Sequence, residues 1–113
     1  SEKAADTQNY REIVLQILAA FDGLRFSNAD AVCELVADTV HDRYVVYTVG
    51  WEKSDQRIHH CLIHINITQG KVWIQRDNTE EGIAYALEQA GIPKDDIILA
   101  FHPPNIRPYT GFG

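Results

Sequence analysis

At 113 residues and 12.8 kDa, with 45% hydrophobic and 23% charged side chains, the chain has the size and composition of one ordinary globular domain. No apolar run approaches the roughly 20 residues a bilayer-spanning helix needs, and the polar start carries no signal-peptide pattern, so no membrane association and a cytoplasmic location are expected. The formal charge is -6 and the ten Lys and Arg residues never form a run, which argues against direct nucleic-acid binding and its basic footprint.

Residues 1–8 read as a frayed lead-in. Asn9 followed by Glu12 has the form of a capping box. From there Tyr10, Ile13, Val14, Ile17, Leu18 and Phe21 recur at helical spacing and give one broad apolar stripe. Gly23 stands where a left-handed terminator belongs. Residues 31–39 suit either a short helix or a buried strand. The β-prone run Tyr44 to Trp51 follows so closely that a hairpin through Val40 to Arg43 is the better fit.

Between Arg57 and Ile67, strict alternation puts His59, Cys61, Ile63, Ile65 and Ile67 on one strand face. Ile58, His60, Leu62, His64 and Asn66 fall on the other. A Gln69-Gly70 turn pairs Ile67 with Val72 and Ile65 with Ile74, and it sets Asn66 beside Trp73 and His64 beside Gln75. Thr79 is an expected N-cap, with Glu80 and Glu81 in the first helical turn. Ile83, Ala84, Leu87 and Ala90 face inward, and Gly91-Ile92-Pro93 stops the helix. Ile97 to Phe101 reads as a last strand, ended by Pro103-Pro104. The expectation is an α+β single domain: an antiparallel sheet of four or five strands, with the two main helices packed mainly on one face.

No catalytic constellation emerges. Cys33 and Cys61 sit among apolar residues and read as reduced thiols. His60 and His64 are about 13 Å apart along a strand, too far to chelate one ion, and no metal or cofactor is assigned. Asp77, Glu80 and Glu81 beside Arg76 read as turn and capping residues. Cys61 and His60 are adjacent on a strand, so their side chains diverge.

The segment from His102 to Gly113 contains no carboxylate side chain. Pro103, Pro104 and Pro108 hold it extended, Tyr109 and Phe112 supply apolar area, and Arg107 offers a planar donor. It is either a strap on its own domain or a contact with another chain. The candidate partner interface is His60, His64, Trp73 and Gln75 on the mixed sheet face, together with His102, Arg107, Tyr109 and Phe112 from the tail.

Several motifs in order then carry a family resemblance: Val49-Gly50-Trp51, His60-Cys61-Leu62-Ile63-His64-Ile65, Val72-Trp73-Ile74-Gln75-Arg76-Asp77, Thr79-Glu80-Glu81-Gly82-Ile83-Ala84, Gly91-Ile92-Pro93-Lys94-Asp95-Asp96-Ile97 and Phe101-His102-Pro103-Pro104. From about Tyr10 to Gly113 the chain resembles the XisI family, the cyanobacterial controlling factors of fdxN-element excision. The resemblance implies residues 9–113 as one XisI-like domain with an extended tail from about 102. It also implies a non-enzymatic regulatory protein that binds a XisH-like partner. A sheet with helices on one side leaves its other face open or covered by a second chain, and a homo-oligomer, a dimer being favoured, is expected. A DNA-binding accessory factor of site-specific excision is the alternative, with an uncharacterised enzyme ranked behind it, and the resemblance supplies no catalytic residues.

Overall fold

The first helix outruns its capping pattern. In the computed structural model, which describes residues 2–113, α1 spans Glu2–Ala19. Asn9 and Glu12 therefore lie inside the helix and cap nothing, which corrects the expected start; Ser1 of the expected lead-in lies outside the described residues. The Glu-Lys-Ala-Ala stretch ahead of Asn9 is made of strong helix formers, and the helix runs through it. The apolar stripe stands as expected: Tyr10, Val14 and Leu18 are buried, with Ile13, Ile17 and Phe21 packed against them. Gly23, with φ +82°, ends the turn after α1, and its N–H donates to the Cys33 carbonyl at 2.8 Å.

The open choice over residues 31–39 resolves as strand. β1 (Asp30–Asp38) and β2 (Arg43–Trp51) pair antiparallel. The Asp38 carboxylate accepts the Val40 and His41 N–H groups at 2.9 and 3.0 Å, and this fixes the turn. β3 (Arg57–Thr68) and β4 (Lys71–Asp77) form the next hairpin, with Ile67 opposite Val72, Ile65 opposite Ile74 and Asn66 opposite Trp73, as the alternation predicts.

Two bulges break the alternation elsewhere. On β3, Val46 pairs with Ile63 but Tyr47 pairs with Cys61, so Leu62 is an extra residue. A bulge lets two residues oppose one and shifts every residue beyond it to the other face. His60 therefore lies opposite Thr48, on the inward side with Ile63 and Ile65, and does not share a face with His64. On β4, His64 pairs with Arg76 rather than Gln75, and Gln75 is the extra residue.

The second helix starts later than its sequence suggests. α2 spans Ile83–Gln89, with Gly82 rather than Thr79 at its N-cap and no side-chain cap bond. Asp77 does that work from the end of β4. Its carboxylate accepts the Ile83 N–H at 2.6 Å and the Thr79 N–H at 2.9 Å, and also takes the Thr79 hydroxyl. Glu80 and Glu81 consequently precede the helix.

β5 (Ile97–Leu99) then runs parallel to β4, so the five-stranded sheet, in order β1-β2-β3-β4-β5, is mixed rather than wholly antiparallel. The reason is chain geometry: a helix between two neighbouring strands returns the chain in the same direction. Both helices contribute to one core with the inward faces of all five strands, through Val14, Leu18, Cys33, Tyr44, Ile65, Ile74, Leu87 and Ile97. Each such aliphatic side chain stabilises the fold by about 1.5–3 kcal/mol. Among the described residues no helix is long and apolar enough to cross a membrane.

Candidate partner-binding site

With the helices on the inward face, the outward face of the sheet is the surface left for other chains. Its side chains follow from the register. β2 presents Arg43, Val45, Tyr47, Val49 and Trp51; their partners on β1 are Asp38, Val36, Glu34, Val32 and Asp30. On β3 and β4 the outward side carries His64, Asn66, Trp73 and Arg76.

The tail folds onto one end of this face. It is not extended: its N–H groups turn back onto Leu99, Pro103 and Ile106, and a short 3-10 helix covers Arg107–Thr110. Arg107 is the pin. Its Nε donates to the His102 carbonyl at 3.0 Å and a terminal nitrogen to the Ala100 carbonyl at 3.4 Å, while the guanidinium lies 5.8 Å from the centre of the Trp73 ring. A cation over an indole face is attracted by the ring quadrupole. The Trp73 indole N–H is buried beneath it and reaches no acceptor among the described residues. His102 rests against Phe101, ring centres 4.6 Å apart. Beyond the 3-10 helix the chain dives inward, and the Gly113 N–H donates to the Lys94 carbonyl at 2.9 Å.

The expected interface set therefore divides. Trp73, His102 and Arg107 come together, with Tyr109 standing 86% exposed on the turn they hold. His64 shares the outward face, its Nε2 3.1 Å from the Asn66 side-chain oxygen. Gln75 is half-buried in the bulge next to Trp73. Phe112 is a correction: it is buried in its own core, edge-on to Tyr85 at 5.7 Å, with the Lys94 ammonium 5.6 Å from its ring. His60 is another. It opens onto the inward side of the β2–β3 hairpin, in a cavity of about 760 Å³ lined also by Phe26, Thr48, Ile58 and Asn78.

Sequence reasoning missed two groups. The first is Arg11, Asp42 and Tyr44. Asp42 sits at φ +54° in the β1–β2 turn and accepts Arg11 Nε at 2.6 Å, a second Arg11 nitrogen at 2.9 Å and the Tyr44 hydroxyl at 2.7 Å. The Arg11 hydrogen bond holds the Asp42 carboxyl below the usual carboxylate range. Burial, and then the bond to Asp42, push the Tyr44 phenol upward. The Tyr10 phenol is pushed up to about 12 by burial and by its bond to Asp96, which joins α1 to the turn before β5. These pairs tie distant segments together.

The second missed group is the apolar column Val45, Tyr47, Val49 and Trp51. The signal was present, because β2 is apolar on both of its faces, the pattern of a strand covered on both sides. Tyr47 stacks on His59 of β3 at 5.8 Å, and Arg57 lies 5.0 Å from the Trp51 ring centre. Among the described residues no three His, Cys, Asp or Glu side chains gather in a metal-binding group. Asp77 points to the inward side, away from His64 and Arg76.

Comparison with known proteins agrees with this fold. The family described as XisI protein matches residues 5–113. A XisI-like protein from Anabaena variabilis ATCC 29413 superposes with a TM-score of 0.84 at 34% identity, covering 95% of this chain and 97% of that one. The fdxN element excision controlling factor XisI from Anabaena variabilis ATCC 29413 superposes with a TM-score of 0.79 at 33% identity, covering 96% and 97%. None of the curated proteins compared matches the chain.

Proposed function

The chain belongs to the XisI family, and from that premise we propose that it is a non-enzymatic regulatory protein of the excision-controlling type that acts by binding a XisH-like partner. The observation that carries the proposal is the tail. A phenol is held 86% exposed on a 3-10 turn whose own arginine is engaged with two carbonyls and an indole. An aromatic side chain presented on a pinned turn loses little conformational entropy on docking, and tyrosine is enriched among residues that dominate binding energy. The neighbouring exposed side chains, Phe101 and Ile106, extend the same apolar surface. Nothing in this arrangement couples a nucleophile to a base. Its chemistry is that of recognition.

The test is co-purification with the XisH-like protein, using the full chain and its Tyr109→Ala and Arg107→Ala variants. Tyr109→Ala is expected to weaken the complex at least about tenfold while leaving the circular dichroism unchanged. Arg107→Ala is expected to weaken it as well, by releasing the turn. Full binding by both variants removes the tail from the interface, and failure of the unaltered chain to bind overturns the partner reading itself.

A further inference from the structure

The part of the outward sheet face that the tail leaves open is electrically polarised from edge to edge. All three carboxylates of β1, Asp30, Glu34 and Asp38, have outward register positions. The outward positions of β3 and β4 hold no carboxylate among the described residues, and they include Arg57, Lys71 and Arg76. Between them runs β2, apolar from Val45 to Trp51 and with Arg43 at its far end. In a chain of net charge -6, this separation of sign on one face stands out. It sits on a broad surface covered by neither helix nor tail.

We infer that this face is a self-association surface, and that two copies meet on it about a two-fold axis parallel to β2. The charge layout selects that axis. Rotation about a line along β2 lays the acidic β1 of one copy over β3 of the other, which has no outward carboxylate and carries Arg57, twice per dimer. Rotation about a line across the strands would lay β1 on β1 and oppose like charges. With the axis along β2, each outward row keeps its level, so the row Asp30–Trp51–Arg57 meets its own copy reversed. Asp30 of each copy then stands over Arg57 of the other, and Trp51 and Tyr47 meet their own counterparts near the axis. A two-fold contact must be self-complementary in this sense. Sheets of this kind pack face to face about 10 Å apart, with side chains interdigitating.

The sheet edges are not the contact. The β1 edge is occupied by the segment after α1, through Cys33 to Leu24 and Phe26 to Ala31 backbone bonds of 2.8 and 3.3 Å, and the tail returns beside β5, where the Gly113 N–H donates to the Lys94 carbonyl. Strand addition is thereby blunted, and the face remains. Three strands about 4.8 Å apart and nine residues long give about 400 Å² per copy, about 800 Å² in all, below the range of stable interfaces and within that of weak ones. The dimer should therefore dissociate on dilution through the micromolar range, and its charged rims should make it salt-sensitive.

The measurement is sedimentation velocity of the full chain at low salt across a concentration series. The weight-average mass is expected to rise from 12.8 kDa toward twice that value. Asp30→Arg and Arg57→Glu, each at an exposed position, are expected to hold the chain monomeric, and the double variant to restore the dimer. Circular dichroism of each variant confirms the fold. A chain monomeric throughout, or a dimer indifferent to both reversals, overturns the proposal. Loss in both single variants without rescue in the double overturns the axis. A monomer whose XisH-like complex is lost in the same variants would assign the face to that partner instead, a result separable from the tail variants above.

Discussion

Gly50 lies in the Val49-Gly50-Trp51 motif, and its substitution by alanine has a cost that can be worked from the packing. A Cβ at this position would come 2.0 Å from the Asp30 carbonyl oxygen and 2.5 Å from the Ala31 Cα, both on the backbone of β1. An ordinary carbon–oxygen contact is about 3.3 Å, so β1 must retreat by about 1.3 Å. A ladder bond of about 2.9 Å would stretch to about 4.2 Å, beyond hydrogen-bonding reach. The Ala31 carbonyl faces Phe26 on the other edge, so the bonds at risk are those of the flanking Asp30–Trp51 and Val32–Val49 pairs; losing two of them costs about 2 kcal/mol, and forcing alanine to φ +155° adds about 1 kcal/mol or more. The expected loss is about 3 kcal/mol in a urea titration followed by tryptophan fluorescence, since Trp51 reports on that end of the sheet. Gly23→Ala is the control: its φ is +82° but nothing lies within 4 Å of the added carbon, so only about 1 kcal/mol should be lost. Equal losses at the two positions would refute the clash as the cause.

The tail makes a second contrast. Phe112→Ala should cost about 3 kcal/mol or more, because a buried ring leaves a cavity, whereas Tyr109→Ala should change the unfolding free energy by less than about 0.5 kcal/mol; the same titration reads both. Asp42→Ala strands the fully buried Tyr44 hydroxyl and should cost about 3 kcal/mol, with Tyr44→Phe costing about 1 kcal/mol and the double variant less than the sum. The folded-state pKa of Asp42 is lowered, so its contribution is present above the unfolded value of about 3.9 and is lost as pH falls through the folded value. Stability should therefore drop more steeply below about pH 4 in the unaltered chain than in Asp42→Asn, which has no proton to take up.

The elements and their order were legible because each rested on a repeated local signal. The stripe from Tyr10 to Phe21 recurs too often at helical spacing to be anything else. The Gln69-Gly70 turn fixed the β3–β4 register by placing aliphatic residues opposite one another. What failed was what one residue decides alone. The bulges at Leu62 and Gln75 leave no mark in the alternation, since an apolar residue and a glutamine fit either face, yet each reassigns the side chains beyond it. His60 and His64 were separated by such a slip. Thr79 failed for a related reason: it has the chemistry of a cap, but Asp77 reaches the Ile83 N–H from the preceding strand, a bond that depends on where β4 ends.

The tail shows how composition misleads about a site. Three prolines suggest an extended segment, yet proline also suits the first turn of a 3-10 helix, and Pro108 occupies that place in Arg107–Thr110. Once the chain turns, Arg107 can reach two carbonyls and Trp73, and Phe112 can enter the core. The two readings of the segment then fall to different residues. Phe112 is the strap, buried in the core, while Tyr109 is left exposed on the turn, where the proposed contact would lie. The open face of β2 follows the same logic at larger scale. Val45, Tyr47, Val49 and Trp51 alternate with Tyr44, Val46 and Thr48, so the inward half is accounted for by the core. An apolar outward half gains nothing for a lone chain, and becomes explicable once a second surface lies against it.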